Sequence, residues 1–244
     1  MPRFFVESVE SDFIEITGDD ARHIALSLRM KKGENLVLCD GKGREASAVI
    51  REAFPESVVL DVAERHDSAA EPKTEVVLYQ ALPKFDKLEY IIQKSVELGV
   101  SKIVPVMTSR CISRPDEKTM KKKLERLRKI ADEAAKQSGR GKLPEVDEML
   151  TFKNAVLKMC EAETPIFFFE HAEYPLREIM EKRNGGKIAL MVGCEGGFSD
   201  DEAKFASEHG AFIASLGPRI LRCETAPVAA LSAIMYAAGE MEIK

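Results

Sequence analysis

Two glycine-containing loops carry residue types that could bind a small ligand. The first is Gly193-Cys194-Glu195-Gly196-Gly197-Phe198, and the second runs from Leu216 to Pro227. Glycine lets a backbone approach a ligand closely, and free N–H groups at the start of a following helix favour a carboxylate or a phosphate. The first loop lacks both the GxGxxG spacing of a dinucleotide site and the GK[ST] of a P-loop. Taken alone, such a loop is equally typical of a tight turn.

The elements around these loops predict a mainly parallel sheet. From residue 74, short apolar runs alternate with amphipathic segments, which is typical of an α/β domain. The predicted strands are 75–80, 102–107, 165–170, 187–192 and 212–216, and the predicted helices are 86–98, 116–137, 199–209 and one that begins near Thr225. Ser199 and Glu202 have the spacing of a capping box. Both loops follow strands, and open α/β sheets bind ligands at the carboxyl ends of their strands.

The first 70 residues have a different pattern. Short apolar runs separated by turn signals predict strands at 4–6, 13–16, 36–39, 46–50 and 58–62. Asp40-Gly41-Lys42-Gly43 predicts a tight hairpin, and a short helix is expected from about Asp19 to Leu28. The polar stretch 64–72 has no apolar periodicity. We therefore predict a small β-rich domain at 1–70 and an α/β domain at 74–244.

Composition limits the possible functions. The chain has 244 residues, 45% hydrophobic and 32% charged, without a run long enough to span a membrane. Its N-terminus lacks the apolar stretch of a signal peptide, which predicts a cytoplasmic location. The five cysteines form no CxxC pair and the four histidines are isolated, so we expect neither disulfides nor a metal site.

Charge is distributed unevenly along the chain. Between Lys102 and Lys142, thirteen Lys or Arg face five Asp or Glu, a local charge of +8, which leaves −13 for the rest of a chain whose net charge is −5. A basic segment on an acidic protein can hold a phosphate backbone. The same lysines could equally serve only to solvate one face of a helix.

The two loops, read as MVGCEGGFS and LGPRILRCETAP, closely resemble the C-terminal motifs of the RsmE family. These are ribosomal RNA uracil-N3 methyltransferases of the SPOUT superfamily. The resemblance covers nearly the whole chain and includes His23 and the segments 28–34, 84–99 and 133–140. It implies an N-terminal PUA-like β-barrel that binds RNA, a C-terminal domain with a trefoil knot, a homodimer, and S-adenosylmethionine as cofactor.

The resemblance also implies roles for individual residues. The cofactor is expected to contact the glycine loops and the leucines around them, namely Leu190, Gly193, Gly196, Leu216, Ile220 and Leu221. Methylation at N3 requires that a proton leave the uracil ring, which a base or a cation that stabilises the anion can assist. Glu195 and Glu224 are the candidate bases, and Arg222 or Arg219 the candidate cations.

Cys194 and Cys223 depart from the family, which usually has proline and threonine there. We interpret both as tolerated substitutions rather than as a thiol mechanism, because methyl transfer to nitrogen needs no covalent intermediate.

For the RNA, we expect basic side chains of both domains to bind phosphates, namely Arg29, Lys31, Lys32, Lys84, Lys87, Lys94 and Arg140. The expected substrate is ribosomal RNA, within the small subunit. The alternatives are a related knotted methyltransferase for another RNA, a non-catalytic RNA-binding assembly factor, and a nucleotide-binding enzyme. The last lacks the lysine and the magnesium-binding hydroxyl of a phosphate site.

Overall fold

A computed structural model describes residues 1–172 and 174–242. The chain forms two compact units, one of residues 1–71 with 135–143, and one of 72–134 with the residues from 144 onward. The predicted domain boundary lay at 70–74. Residues 135–143 belong to the first unit, which no pattern in the sequence indicated. In the described residues, every helix is too short or too polar to cross a membrane.

The first unit is built on a five-stranded sheet in the order β1-β3-β4-β5-β2. Strand β1 pairs with β3 in parallel, and the other neighbours are antiparallel. One face buries a core that includes Leu36, Leu38, Ile50 and Leu60. The strands are β1 (Arg3–Phe5), β2 (Phe13–Thr17), β3 (Asn35–Cys39), β4 (Arg44–Ala53) and β5 (Ser57–Asp67).

The hairpin predicted at 40–43 is present between β3 and β4. The Asp40 carboxylate accepts hydrogen bonds from the backbone N–H groups of Lys42 (2.7 Å) and Arg44 (3.0 Å). The helix expected at 19–28 is instead a short α1 (Gly18–Arg22) that continues into a π-helical turn at His23–Ser27. Strand β5 extends past the predicted end at residue 62, because its polar end pairs with β4 from Arg44 onward.

The second unit has an eight-stranded sheet with all strands parallel. Seven strands follow the order β11-β13-β10-β12-β6-β7-β8, and β9 also pairs with β7. The strands are β6 (Val76–Ala81), β7 (Lys102–Met107), β8 (Glu145–Val146), β9 (Leu150–Thr151), β10 (Thr164–Phe168), β11 (Tyr174–Pro175), β12 (Ile188–Val192) and β13 (Phe212–Ser215). All residues of β6, β10 and β12 are buried, as expected for central strands covered on both faces.

Helices connect these strands. They are α2 (Lys87–Glu97), α3 (Glu117–Ser138), α4 (Phe152–Met159), α5 (Leu176–Glu181), α6 (Asp200–Glu208) and α7 (Thr225–Ala237). The apolar face predicted for 86–98 is confirmed, since Leu88, Ile91, Ile92, Ser95 and Val96 are buried in α2. Helices α4 and α5 were not predicted. The α/β fold class is confirmed, and the trefoil knot stays a prediction.

Candidate active site

A cavity of about 400 Å³ lies in the second unit, at the carboxyl ends of β10, β12 and β13. Because β10 pairs with both other strands, the loops that follow β12 and β13 lie on either side of its end. These are the two glycine-containing loops of the sequence analysis. The cavity is lined by Lys87, Phe168, Phe169, Glu170, Val192, Gly193, Cys194, Glu195, Gly197, Phe198, Ser215, Leu216, Gly217, Arg219, Ile220, Leu221, Arg222, Cys223 and Ala226.

The first loop, 193–198, folds back on itself so closely that it needs glycine. A Cβ atom on Gly193 would lie 3.0 Å from the Cα of Gly197, a backbone atom that cannot move aside alone. Gly197 has φ +62°, and its N–H donates to the carbonyl of Cys194 at 2.9 Å. Backbone therefore forms this wall of the cavity, and a ligand can approach it directly.

Gln80 fixes the start of the first loop and was missed by the sequence analysis. This residue lies inside the apolar strand β6, between Tyr79 and Ala81, and is fully buried. Its side-chain amide donates to the carbonyls of Ala81 (3.0 Å), Val192 (3.4 Å) and Gly193 (3.2 Å). A single polar residue inside a buried strand is a signal that the sequence does contain, since buried amides need partners.

Further contacts hold the far end of the first loop. Arg110 donates to the carbonyl of Gly196 at 2.8 Å. The predicted capping box is confirmed, because Ser199 accepts from the N–H of Glu202 while the Glu202 carboxylate accepts from the N–H of Ser199. The same carboxylate accepts from the N–H of Ser109 at 2.8 Å. Contacts within the protein thus hold the loop at both ends.

A lysine–glutamate cluster connects the two loops. Lys87 Nζ lies 3.1 Å from the carboxylate of Glu195 in the first loop and 3.1 Å from that of Glu224 in the second. The backbone N–H of Lys84 also donates to Glu195, at 3.1 Å. One ammonium therefore bridges two segments that the sheet topology brings to the same edge.

The cluster lowers the pKa of both carboxylates. Burial raises the pKa of Glu195, but hydrogen bonds from its own N–H, from Lys87 and from Lys84 outweigh it and lower the pKa. For Glu224, the hydrogen bonds from the Cys223 thiol and its own N–H, with that from Lys87, lower the pKa. The pKa of Lys87 is raised by its hydrogen bonds to Glu195 and Glu224. Both glutamates are ionised at neutral pH, and each is a weaker proton acceptor than an ordinary glutamate.

The second loop, 216–224, supplies apolar and cationic groups. Leu216, Ile220 and Leu221 line the cavity, and Ile220 is 78% exposed. Arg219 and Arg222 line it as well, and both are exposed. Apolar side chains beside open backbone suit a flat heteroaromatic ring, and the arginines suit an anion.

The two unusual cysteines are both buried. Burial raises the pKa of Cys223 to about 12, and its S–H donates to the Glu224 carboxylate at 3.2 Å. Cys223 thus serves as a donor, as a hydroxyl would. A hydrogen bond between Cys194 and Cys111 raises the pKa of Cys194, so its thiol also stays protonated.

The structure gathers most of the predicted cofactor and catalytic residues at this cavity. Gly193, Glu195, Leu216, Ile220, Leu221 and Arg222 line it. Three others do not line it: Leu190 is fully buried inside β12, Gly196 packs against Arg110, and Glu224 contacts Lys87. Glu170, like Gln80 and Arg110, was not predicted from the sequence.

The residues predicted to bind RNA occupy different environments. Arg29, Lys31 and Lys32 are exposed, with φ +54° at Arg29. Lys84 is half-buried, while Lys94 is half-buried and pairs with Glu97 at 2.8 Å. Arg140 is buried, with its guanidinium 3.0 Å from the Glu71 carboxylate. Lys87 belongs to the cavity cluster.

In residues 1–172 and 174–242, His, Cys, Asp and Glu side chains do not form a group of three or more that could hold a metal ion. The cavity instead offers backbone, apolar surface and arginines.

Comparison with known proteins identifies the class that this fold and cavity define. Residues 70–235 match the family described as RNA methyltransferase domain, and residues 16–62 match the RNA methyltransferase PUA domain. The chain is therefore an RNA methyltransferase by fold, with a PUA-like N-terminal unit.

Close relatives specify the family. The chain is 34% identical to ribosomal RNA small subunit methyltransferase E of Bacillus subtilis, over 97% of this chain and 96% of that one. The crystal structure of a protein of that name from Neisseria gonorrhoeae, bound to S-adenosyl methionine, matches with a TM-score of 0.88 and 33% identity over 97% of each chain. A methyltransferase from Legionella pneumophila in complex with the same cofactor matches with a TM-score of 0.86 and 32% identity, over 96% of this chain and 97% of that one. The chain belongs to the ribosomal RNA small subunit methyltransferase E family.

Proposed function

We propose that this protein transfers a methyl group from S-adenosylmethionine to N3 of a uridine in small-subunit ribosomal RNA. The observation that carries the proposal is the cavity between the two loops, whose residues form the motifs by which the chain resembles its family. Family membership supports the reaction and the RNA. The names of the relatives support the cofactor and the small-subunit substrate.

The cavity fits this cofactor on its own geometry. Its volume of about 400 Å³ is in the range of small-molecule sites. The close approach of Gly193 to Gly197 leaves backbone groups open to a ligand, and Leu216, Ile220 and Leu221 can enclose an adenine ring. We assign these residues to cofactor binding, with Gly196 and Leu190 supporting the loop and strand from behind.

When bound, the cofactor supplies a methyl group already activated by a sulfonium charge, so alignment is the main task of the protein. In this chain the Lys87 cluster performs that task. It holds the first loop through Glu195 and the second through Glu224, which fixes the walls of the cavity relative to each other. A rigid site keeps the two reacting atoms in line.

The same cluster changes the roles we assign to the candidate catalytic groups. Glu195 and Glu224 are bound to Lys87 and have lowered pKa values, so we assign them to positioning rather than to proton removal. Uracil N3 carries a proton at neutral pH, and transfer of that proton to solvent water leaves an anion on the ring. We assign Arg222, exposed at the cavity, to the stabilisation of that anion, with Arg219 as the second cation.

For the RNA, we propose that the exposed cations of 29–32 bind phosphates. Arg29, Lys31 and Lys32 flank the buried Met30, which anchors this segment in the first unit. The target base must leave its stack to reach a cavity of this size.

We also propose that the protein acts as a homodimer in the cytoplasm, where ribosomal subunits are assembled.

The test is transfer of labelled methyl from S-adenosylmethionine to small ribosomal subunits prepared without this protein, followed by nucleoside analysis. We expect label in 3-methyluridine at one position. Label in another nucleoside, or only in a different RNA, would favour a related methyltransferase with another substrate. Binding of RNA without cofactor binding would favour the assembly-factor alternative.

A further inference from the structure

Glu170 is a carboxylate in the cavity wall to which the proposed mechanism gives no role. It follows β10, the strand whose end lies between the two glycine loops. A Cβ atom built on Gly197 would lie 3.5 Å from one carboxylate oxygen of Glu170 and 3.6 Å from the other. The carboxylate therefore presents both oxygens to the first loop side by side.

The two carboxylates that line the cavity differ in how their oxygens are used. Those of Glu195 accept from the N–H of Lys84 and from Lys87. In the described part of the chain, Glu170 has no hydrogen bond, and its recorded ion-pair contact is His171 Nε2, at 3.6 Å. The Glu170 side chain is 36% exposed. It retains acceptor capacity beside the open backbone of the first loop.

We propose that Glu170 binds the ribose of the cofactor, by accepting hydrogen bonds from its 2′- and 3′-hydroxyl groups. This inference rests on the proposed function. A carboxylate has two acceptor oxygens, and a ribose diol has two neighbouring donors, so the pair is matched in number and spacing. Acidic side chains near strand ends bind ribose hydroxyls in dinucleotide-binding α/β folds by the same chemistry.

The arginines of the second loop suit the carboxylate at the amino-acid end of the cofactor. That end also carries an ammonium, which can pair with a carboxylate, so the test includes ligands that lack the tail. The adenosine end needs apolar surface and open backbone. Glu170 lines the same cavity as the apolar residues assigned to the adenine and faces the backbone of the first loop at Gly197, and we place the sugar there.

The experiment compares calorimetric affinities of the full-length wild type and Glu170→Ala for three ligands. S-Adenosylhomocysteine contains the ribose and the amino-acid tail, 5′-methylthioadenosine lacks the tail, and 2′-deoxy-5′-methylthioadenosine lacks the tail and one hydroxyl. We expect Glu170→Ala to weaken the first two by the same factor, about tenfold or more for a charge-assisted hydrogen bond. The wild type should prefer methylthioadenosine over its deoxy form, and the variant should lose that preference.

Matched variants separate this role from a structural one. Glu178→Ala removes an exposed carboxylate of α5 that does not line the cavity, and should leave all three affinities unchanged. Loss of affinity for S-adenosylhomocysteine alone would overturn the inference, because it would place Glu170 at the amino-acid tail. An unchanged preference for the hydroxylated ligand would overturn it as well. A wild type that binds none of the ligands would overturn the proposed function itself, and this inference with it.

Discussion

Basic side chains serve opposite purposes in two regions of the molecule. In the segment 29–32, Arg29, Lys31 and Lys32 are exposed, and within the described residues they have no ion pair. At the start of α2, Lys87 is held between Glu195 and Glu224. The sequence analysis assigned all four to RNA phosphates. The comparison shows that the partners of a cation, rather than its presence, decide whether its charge is available to a ligand.

Lys87→Ala should give the largest loss. Without the ammonium, the two carboxylates repel each other and the loops lose their common anchor, so we expect methyl transfer to fall by about a hundredfold. Calorimetry with S-adenosylhomocysteine should show weaker binding at both low and high salt. The control Lys94→Ala removes a lysine of the same helix that pairs only locally with Glu97. Equal affinities of the two variants for S-adenosylhomocysteine would contradict the bridging role.

Replacing Arg29, Lys31 and Lys32 together with alanine tests whether the exposed cations of this segment bind RNA. We expect RNA affinity to fall about tenfold or more at moderate salt. The slope of log affinity against log salt concentration should become shallower, because about three fewer counterions are released on binding. Cofactor affinity should not change. Arg51→Ala is the matched control, since its guanidinium already pairs with Asp61 at 2.6 Å in the same unit. A triple variant with an unchanged salt slope would exclude this segment from the RNA surface.

The cluster also predicts an acid-sensitive contribution to stability. Because Glu195 and Glu224 have lowered pKa values in the folded state, their contribution is fully present above the unfolded glutamate pKa of about 4.3. It is lost as the pH falls through the lowered folded values. Unfolding midpoints measured between neutral pH and about pH 3 should fall more for the wild type than for Glu195→Gln/Glu224→Gln. Parallel curves would mean that the cluster contributes nothing to stability.

Cys223→Thr should give the smallest effect. The thiol donates to Glu224, and a hydroxyl can do the same with a shorter bond, so activity should stay within about twofold of the wild type. Cys223→Ala, which removes the donor, should lose more. The steady-state methyl-transfer rates of the two variants test whether residue 223 acts as a hydrogen-bond donor. A threonine variant less active than the alanine variant would refute this role.

The sequence was most informative where the structure depends on residues that are close together in the chain. The capping box at Ser199 and Glu202 and the buried face of α2 follow from short-range spacing, and both are confirmed. Strand β5 continues to Asp67 because β4 pairs with it, which its own polar residues do not indicate. Helix α4 could have been predicted, because its buried Ala155, Val156 and Met159 recur with helical spacing.

The candidate site shows the same division. Its two loops could be predicted from their glycines and from the position of such loops after strands. The Lys87 cluster could not, because residues far apart in the chain meet only through the order of β10, β12 and β13 in the sheet. The hydrogen bond from the Gln80 side chain to the carbonyl of Gly193 depends in the same way on the pairing of β6 with β12.

Ultraviolet crosslinking of S-adenosylmethionine labelled in its methyl group, followed by peptide mapping, tests whether the loops 193–198 and 216–224 bind the cofactor. We expect label on peptides containing these loops or the end of β10, and competition by unlabelled S-adenosylhomocysteine. Competed label confined to residues 1–71, or to the basic helix α3, would contradict cofactor binding by these loops.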